Sequence, residues 1–376
     1  MKRLRPYRPA RKGNVIVLSS LLMVAMMGLL AFAVDLGYLY NTRTEMQRAS
    51  DASAIAACWE LIHEDAVKGT DITPLLTSNA RAKASEFVGY NLITQSAAQL
   101  SSDDVSVGYI AEPKNPTSPF LTAGYTGAPN AVRITIHRSA QRNGVIPLFF
   151  GPVMGVNSAS MQTEAVAAYL PGVEGFKSPT DGSNLGILPY ALDETTWDNM
   201  LAGGGSDNYR NVDGVVTTGS DGVREVNLFP QGTGSPGNRG TVDIGGSNNS
   251  TSDIARQIVH GISADDMSQM PNSKLEFTSG KLYLNGDTGI SAGVKDEMAS
   301  IIGETRLIPI FSNVSGNGNN ATYTIVKFVG IRMMHVKLTG GNKQVMVQPA
   351  VVVTKGGIAS TTPRSDFVYS PVWLVR

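Results

Sequence analysis

From Val15 to Val34 the chain runs for 20 residues without a charge or a proline, and only Ser19 and Ser20 carry a hydroxyl. A helix of that length spans about 30 Å, the thickness of a bilayer's hydrocarbon core, where only a helix or a closed barrel satisfies its own backbone. The run is longer than the apolar region of about 7–15 residues in a cleaved secretory signal. Ala31-Phe32-Ala33 has the A-x-A form of a cleavage site, but Val34-Asp35 continues the helical pattern, so the segment reads as a retained anchor. Met46, Ala49, Ala52, Ile55, Trp59, Ile62 and Ala66 then recur every three or four residues. That period predicts an amphipathic stalk extending the same helix to a stop at Lys68-Gly69, with Gly37 as a bend.

A second helical pattern runs from Ser78 to about Asn91, with Ala84, Phe87 and Val88 on one side. Strands are predicted over Val105–Ile110, over Ala131–Arg138, where Val132, Ile134 and Ile136 alternate with polar residues, and over Ser158–Tyr169, into which the run Ile146–Gly151 leads. Pro, Gly, Ser and Asp crowd residues 171–183, a linker composition. Beyond it strand signals dominate: Glu225–Phe229, Thr241–Ile244, Thr305–Phe311, Tyr323–Val329, Ile331–Leu338, Val345–Val353 and Phe367–Val375. Helices are predicted at Ser252–His260, closed by Gly261, and at Val294–Ile302, closed by Gly303. The expected class is α+β: a transmembrane helix (15–34) continuing into a long helix packed on a small antiparallel sheet (35–170), a linker (171–183), and a Gly-rich, mainly antiparallel α+β domain (184–376).

Charge adds a direction. Lys and Arg total 31, as do Asp and Glu, so nothing points to a nucleic-acid partner. Yet Lys2, Arg3, Arg5, Arg8, Arg11 and Lys12 all precede the apolar run, making residues 1–14 a basic tail and leaving 25 basic against 31 acidic residues elsewhere. Cytoplasmic flanks carry the Lys/Arg excess, so the tail is expected inside and the chain from Asp35 onward outside. The single cysteine, Cys58, excludes an intramolecular disulfide framework, and its Ala-rich neighbourhood predicts a buried thiol. Forty glycines, well above the usual share of about 7%, favour turn-rich β structure.

Arg11-Lys12-Gly13-Asn14, the apolar span, Ala33-Val34-Asp35-Leu36-Gly37 and then Gln47-Arg48-Ala49-Ser50-Asp51-Ala52-Ser53-Ala54 form a pattern. It resembles the N-terminal region of the TadE/TadG-like proteins of Flp (tight adherence) pilus assembly, over about residues 9–60. The resemblance implies a single-pass, pilin-like component of the bacterial inner membrane, with its bulk periplasmic or extracellular. Its implied partners are the lipid bilayer, other pilus-assembly or envelope proteins and further copies of the chain. Gly13, Asp35, Gly37, Gln47, Asp51, Ile55 and Trp59 are the implied anchor and partner-helix positions. Two departures are visible. Processed pilins have a Glu five residues after the cleavage glycine, and counting from Gly13 that position is Leu18. The metal-site pattern of a von Willebrand A domain also fails, because Asp51-Ala52-Ser53-Ala54-Ile55 lacks the second Ser and lies on a helix.

Candidate chemistry is sparse. His63, His137, His260 and His335 are scattered, and no nucleophile elbow or Walker sequence occurs, so neither an enzyme nor a cofactor is expected. The stretch from Pro236 to Thr251 places a strand between Gly-rich turns before a helix. It reads first as a tight turn with a Ser/Thr cap; a ligand or Ca²⁺ loop using Asp243, Asn248 and Ser250 is the alternative. The expected function is therefore structural or assembly. The competing reading is a membrane-tethered hydrolase or ligand-binding protein whose site lies in residues 184–376.

Overall fold

The computed structural model describes residues 14–229, 239–245, 250–287, 291–316, 320–360 and 364–376. It is α+β, as the pattern predicts. The chain forms two compact units: Met1–Ser53, Ala84–Val105 and Ile134–Ala165 make the first, and Ala54–Lys83, Ser106–Arg133 and Val166–Arg376 the second. Helix α1, Asn14–Trp59, is 46 residues long and runs through Gly37 without interruption. A Cβ on Gly37 would meet nothing within 4 Å, so this glycine makes neither a bend nor a close approach.

In the first unit every large apolar side chain from Val15 to Val34 is more than half exposed. Water does not stabilise such a surface, whereas lipid does. Ser20 fits that setting, because its hydroxyl donates to the carbonyl of Ile16 one turn back (2.7 Å). Past the span α1 buries Asp35, Thr42, Met46, Ala49, Ser50 and Ser53. This is a helical stripe, but not the one expected. Met46 and Ala49 lie on it, while Ala52 and Ile55 are half-buried and Trp59 is 41% exposed. Small side chains let the backbone come close to its neighbour, so apart from Met46 the inward face is made mainly of hydroxyl-bearing residues and alanine, while Ile55 and Trp59 are not fully covered. The helix also ends at Trp59, and the expected last turns form instead a separate 3-10 helix, Glu64–Lys68.

Helix α2, Thr73–Tyr90, starts before the predicted Ser78. Pro74 falls in its first turn, where a missing N–H is harmless, and the Asp71 carboxylate accepts from the Thr73 N–H (3.0 Å). A small sheet has the order Val105–Gly108, Ala131–Arg138, Met161–Ala168, Trp373–Leu374. In the first unit Ile146–Pro147 pairs antiparallel with Ser158–Ala159, so the run leading into the expected strand folds back on its start as a hairpin, and the strand continues as Met161–Ala168.

The second unit is built on an eight-stranded sheet. Five of its strands close on themselves: Ala321–Lys337 pairs Leu282–Asp287, which pairs Arg239–Val242, which pairs Tyr190–Asp193, which pairs Thr305–Ser315, which returns to Ala321–Lys337. An odd number of strands cannot close with antiparallel pairs alone. The required parallel pairing is Ile310 with Leu192 and Phe311 with Asp193. Alternate residues feed two cores: Ala191, Leu307 and Tyr323 enter one, and Tyr190, Leu192 and Ile308 enter the other. Helices α3 (Glu194–Leu201) and α4 (Thr251–His260) cover the latter with Trp197, Met200, Ile254 and Ile258. Two strands were expected either side of Gly330, but Ala321–Lys337 is continuous. Gly330 serves packing instead of turning, since a Cβ there would lie 2.3 Å from the carbonyl oxygen of Ala350.

Candidate functional site

Asp35 is the first ionisable residue after the apolar span, and it is 7% exposed. Its carboxylate accepts from three successive backbone N–H groups at the hairpin tip: Phe149 (2.7 Å to Oδ1), Phe150 (3.2 Å to Oδ1 and 3.1 Å to Oδ2) and Gly151 (2.7 Å to Oδ2). Charge-assisted bonds of this kind are stronger than neutral ones, and three donors share one carboxylate. The local sequence explains the turn. Pro152 lies in the first turn of a short 3-10 helix, Gly151–Met154, and Gly155 closes it with a positive φ of 81°. A Cβ on Gly151 would lie 2.3 Å from the carbonyl oxygen of Val156, so the tight return requires glycine there. The ring of Phe149 meets Tyr38, one turn beyond Asp35, edge to face at 5.1 Å.

Between the hairpin and α1 lies an apolar cleft of about 480 Å³. One wall is α1, from Val24 through Met27, Ala31, Phe32 and Leu36 to Leu39; the other is Leu148, Phe150, Gly151, Val153, Met154 and Val156. Among the described residues Asp35 is the only ionisable side chain lining it.

Further along α1, Gln47 donates to the Asp51 carboxylate (2.8 Å) and to the carbonyl of Glu164 (3.1 Å). Ser50 and Thr163 share a hydrogen bond between hydroxyls (2.8 Å), both buried. Glu45 accepts from the Thr94 N–H (2.8 Å). The structure thus ties Asp35 to the hairpin tip and Gln47 to both Asp51 and Glu164, and leaves Gly37 and Trp59 exposed and Ile55 half-buried. Gly13 and Asn248 lie outside the described residues. Cys58 is fully buried, and burial drives its thiol pKa far upward, away from the thiolate form that reacts.

Ser250 caps α4, its hydroxyl accepting from the Asp253 N–H (3.2 Å). Burial, then the nearby carboxylates of Asp253 and Asp266, push the carboxyl of Asp243 up to about 6. Arg256 pairs with both neighbours at 2.7 Å. Among the described residues no group of three or more His, Cys, Asp or Glu is placed to hold a metal. A separate polar pocket of about 150 Å³ in the second unit is lined by Glu64, Asp65, Lys68, Asn211, Asp221, Arg332 and Gln348. Buried Arg332 donates to the carbonyl of Gly303 (2.8 Å) and pairs with Glu64.

Residues 13–67 match the family described as Flp pilus-assembly TadE/G-like, and residues 47–167 match that described as Tad-like Flp pilus-assembly. Over residues 13–67 the chain is thus similar to TadE/G-like proteins. The two matches together hold both sides of the Asp35 contact and of the Ser50–Thr163 contact. No curated protein and no solved structure matches the chain.

Sequence reasoning singled out Asp35 but missed its hairpin. A signal was present: from Asn143 to Thr163 no residue carries a charge, and Phe149-Phe150 stand between Pro147 and Gly151-Pro152. That composition suits a turn carrying apolar groups better than a strand.

Proposed function

We propose that this TadE/G-like chain is a membrane-anchored structural or assembly component of a Flp/Tad-type pilus or a related envelope machine. It holds its basic tail in the cytoplasm, crosses the inner membrane once, and presents residues 35–376 to protein partners outside. The observation that carries this reading is the division of α1 at Asp35. Before it, the apolar side chains are exposed over a length that fits a bilayer; after it, one face of small residues packs on the protein's own strands. The two pilus-assembly families matched, over 13–67 and over 47–167, give the anchor its context. The excess of Lys and Arg in residues 1–12 sets the direction.

The partner surface in this reading is what α1 leaves open beyond the membrane, including Tyr40, 74% exposed, and Trp59. Aromatic side chains of this kind dominate protein contacts when covered. The test is crosslinking in native membranes, detergent extraction and mass spectrometry of the co-purified chains. Recovery of Flp pilus-assembly proteins is expected. Recovery of none, at a crosslinking yield that captures other membrane complexes in the same sample, contradicts the proposal.

A further inference from the structure

We propose that the hairpin Ile146–Val156 is a second membrane-embedded element, which inserts Phe149, Phe150, Val153 and Met154 into the outer leaflet beside α1. The inference rests on the reading of residues 15–34 as a membrane span and adds a contact that the span alone does not imply.

Depth is the first argument. The α1 wall of the cleft begins at Val24, ten residues before the end of the span. At about 1.5 Å per residue the cleft reaches about 15 Å back from Val34, half the thickness of the hydrocarbon core. A hairpin held against that part of α1 has lipid around it wherever α1 does.

Composition is the second. Val153 is 87% exposed, Met154 80% and Phe149 65%, and no charge occurs from Asn143 to Thr163. Such side chains, clustered on one turn, belong in an apolar medium. Tyr38 and Tyr40 stand just beyond the span, at the level where interfacial aromatics collect.

The backbone is the third argument and the most demanding, because an irregular loop enters lipid only if its polar groups are satisfied. Leu148 donates to Asn157, Val153 to Phe150, Gly155 to Pro152 and Val156 to Gly151, at 3.0–3.1 Å. Pro147 and Pro152 have no N–H. The three successive donors left at the tip, Phe149, Phe150 and Gly151, are those that Asp35 accepts. A buried carboxylate just beyond the span thus accepts the three successive N–H groups at the tip of the turn.

The test uses the full chain in phosphatidylcholine/phosphatidylglycerol vesicles, with an environment-sensitive fluorophore on one introduced cysteine at a time: Val153→Cys, Leu29→Cys in the span, and Ser102→Cys on an exposed surface. Spin-labelled lipid is the quencher. Val153 is expected to give blue-shifted emission and a loss of intensity with spin-labelled lipid comparable to that at Leu29, with little loss at Ser102. Quenching at Leu29 with a water-like signal at Val153 overturns the inference and leaves the anchor standing. A water-like signal at both positions overturns the anchor itself. Blue-shifted emission at Val153 without quenching by lipid assigns the hairpin to a second copy of the chain and also overturns the inference.

Discussion

Oδ2 of Asp35 lies 2.7 Å from the backbone nitrogen of Gly151, a residue 116 positions later in the chain. This contact and its two neighbours fasten the end of the apolar span to the tip of a hairpin. Asp35→Ala removes the acceptor of three part-buried backbone N–H groups, a charge-assisted contact worth about 1.5–3 kcal/mol for a single bond. The variant is expected to lower the thermal midpoint in detergent, and Asp35→Asn, which keeps one acceptor oxygen, to lower it less. Equal midpoints for wild type and both variants would remove the clasp.

The stripe that α1 buries makes a second prediction. Ala49 is fully buried, so Ala49→Leu forces extra volume into a close contact and is expected to destabilise by about 1–3 kcal/mol or more. Ile55→Ala, at a half-buried position, should cost less despite removing a larger apolar group. Chemical denaturation of the detergent-solubilised protein ranks the two. A larger loss for Ile55→Ala restores the stripe that the hydrophobic periodicity suggests.

That periodicity shows what was legible in the sequence. The apolar span, the strand Ala131–Arg138 and the helix closed by Gly261 are local signals, and the structure has them. The buried face of α1 is not local, because it follows from how closely Ser50 and Thr163 approach, and a large apolar residue announces itself in a sequence more loudly than a serine does. The closed ring of strands was hidden for a similar reason: the parallel pairing of Leu192 with Ile310 joins segments more than a hundred residues apart. At the candidate site Asp35 was visible as the first charge after the span, while its partners are backbone N–H groups, which carry no residue identity.

A pH dependence follows from Asp243. With its carboxyl pushed up to about 6, above the ordinary value of 3.8, the folded protein holds a proton there that the unfolded chain releases earlier. Its contribution is fully present below the unfolded value and is lost as pH rises through about 6. Asp266 has the opposite sign: burial opposes its ionisation, but bonds from Arg256 and Ser263 outweigh that and lower its pKa. The difference between Asp243→Asn and wild type isolates the Asp243 effect. The variant's thermal midpoint is expected to exceed wild type's at pH 7.5 and to approach it at pH 4. A difference independent of pH contradicts this account.

Topology and processing are tested together on the intact protein. A reporter fused at Gly172 is expected to be active only outside the cytoplasm, given the basic residues before Val15. Intact mass is expected to include residues 1–13, because Leu18 occupies the position where processed pilins have a Glu. Cytoplasmic reporter activity reverses the orientation. A mature N-terminus after Gly13 shows that the missing Glu does not prevent cleavage, and one beyond Asp35 removes the anchor.

The most direct test of a pilus-assembly role is the number of Flp-type pili on cells from which this chain has been deleted, counted by electron microscopy. The account predicts that pili are lost, that the wild-type chain restores them, and that a chain with Leu21, Leu22, Leu29 and Leu30 of the span changed to Asp does not. Unchanged pilus numbers in the deletion strain, or full restoration by the chain with the disrupted span, would contradict it.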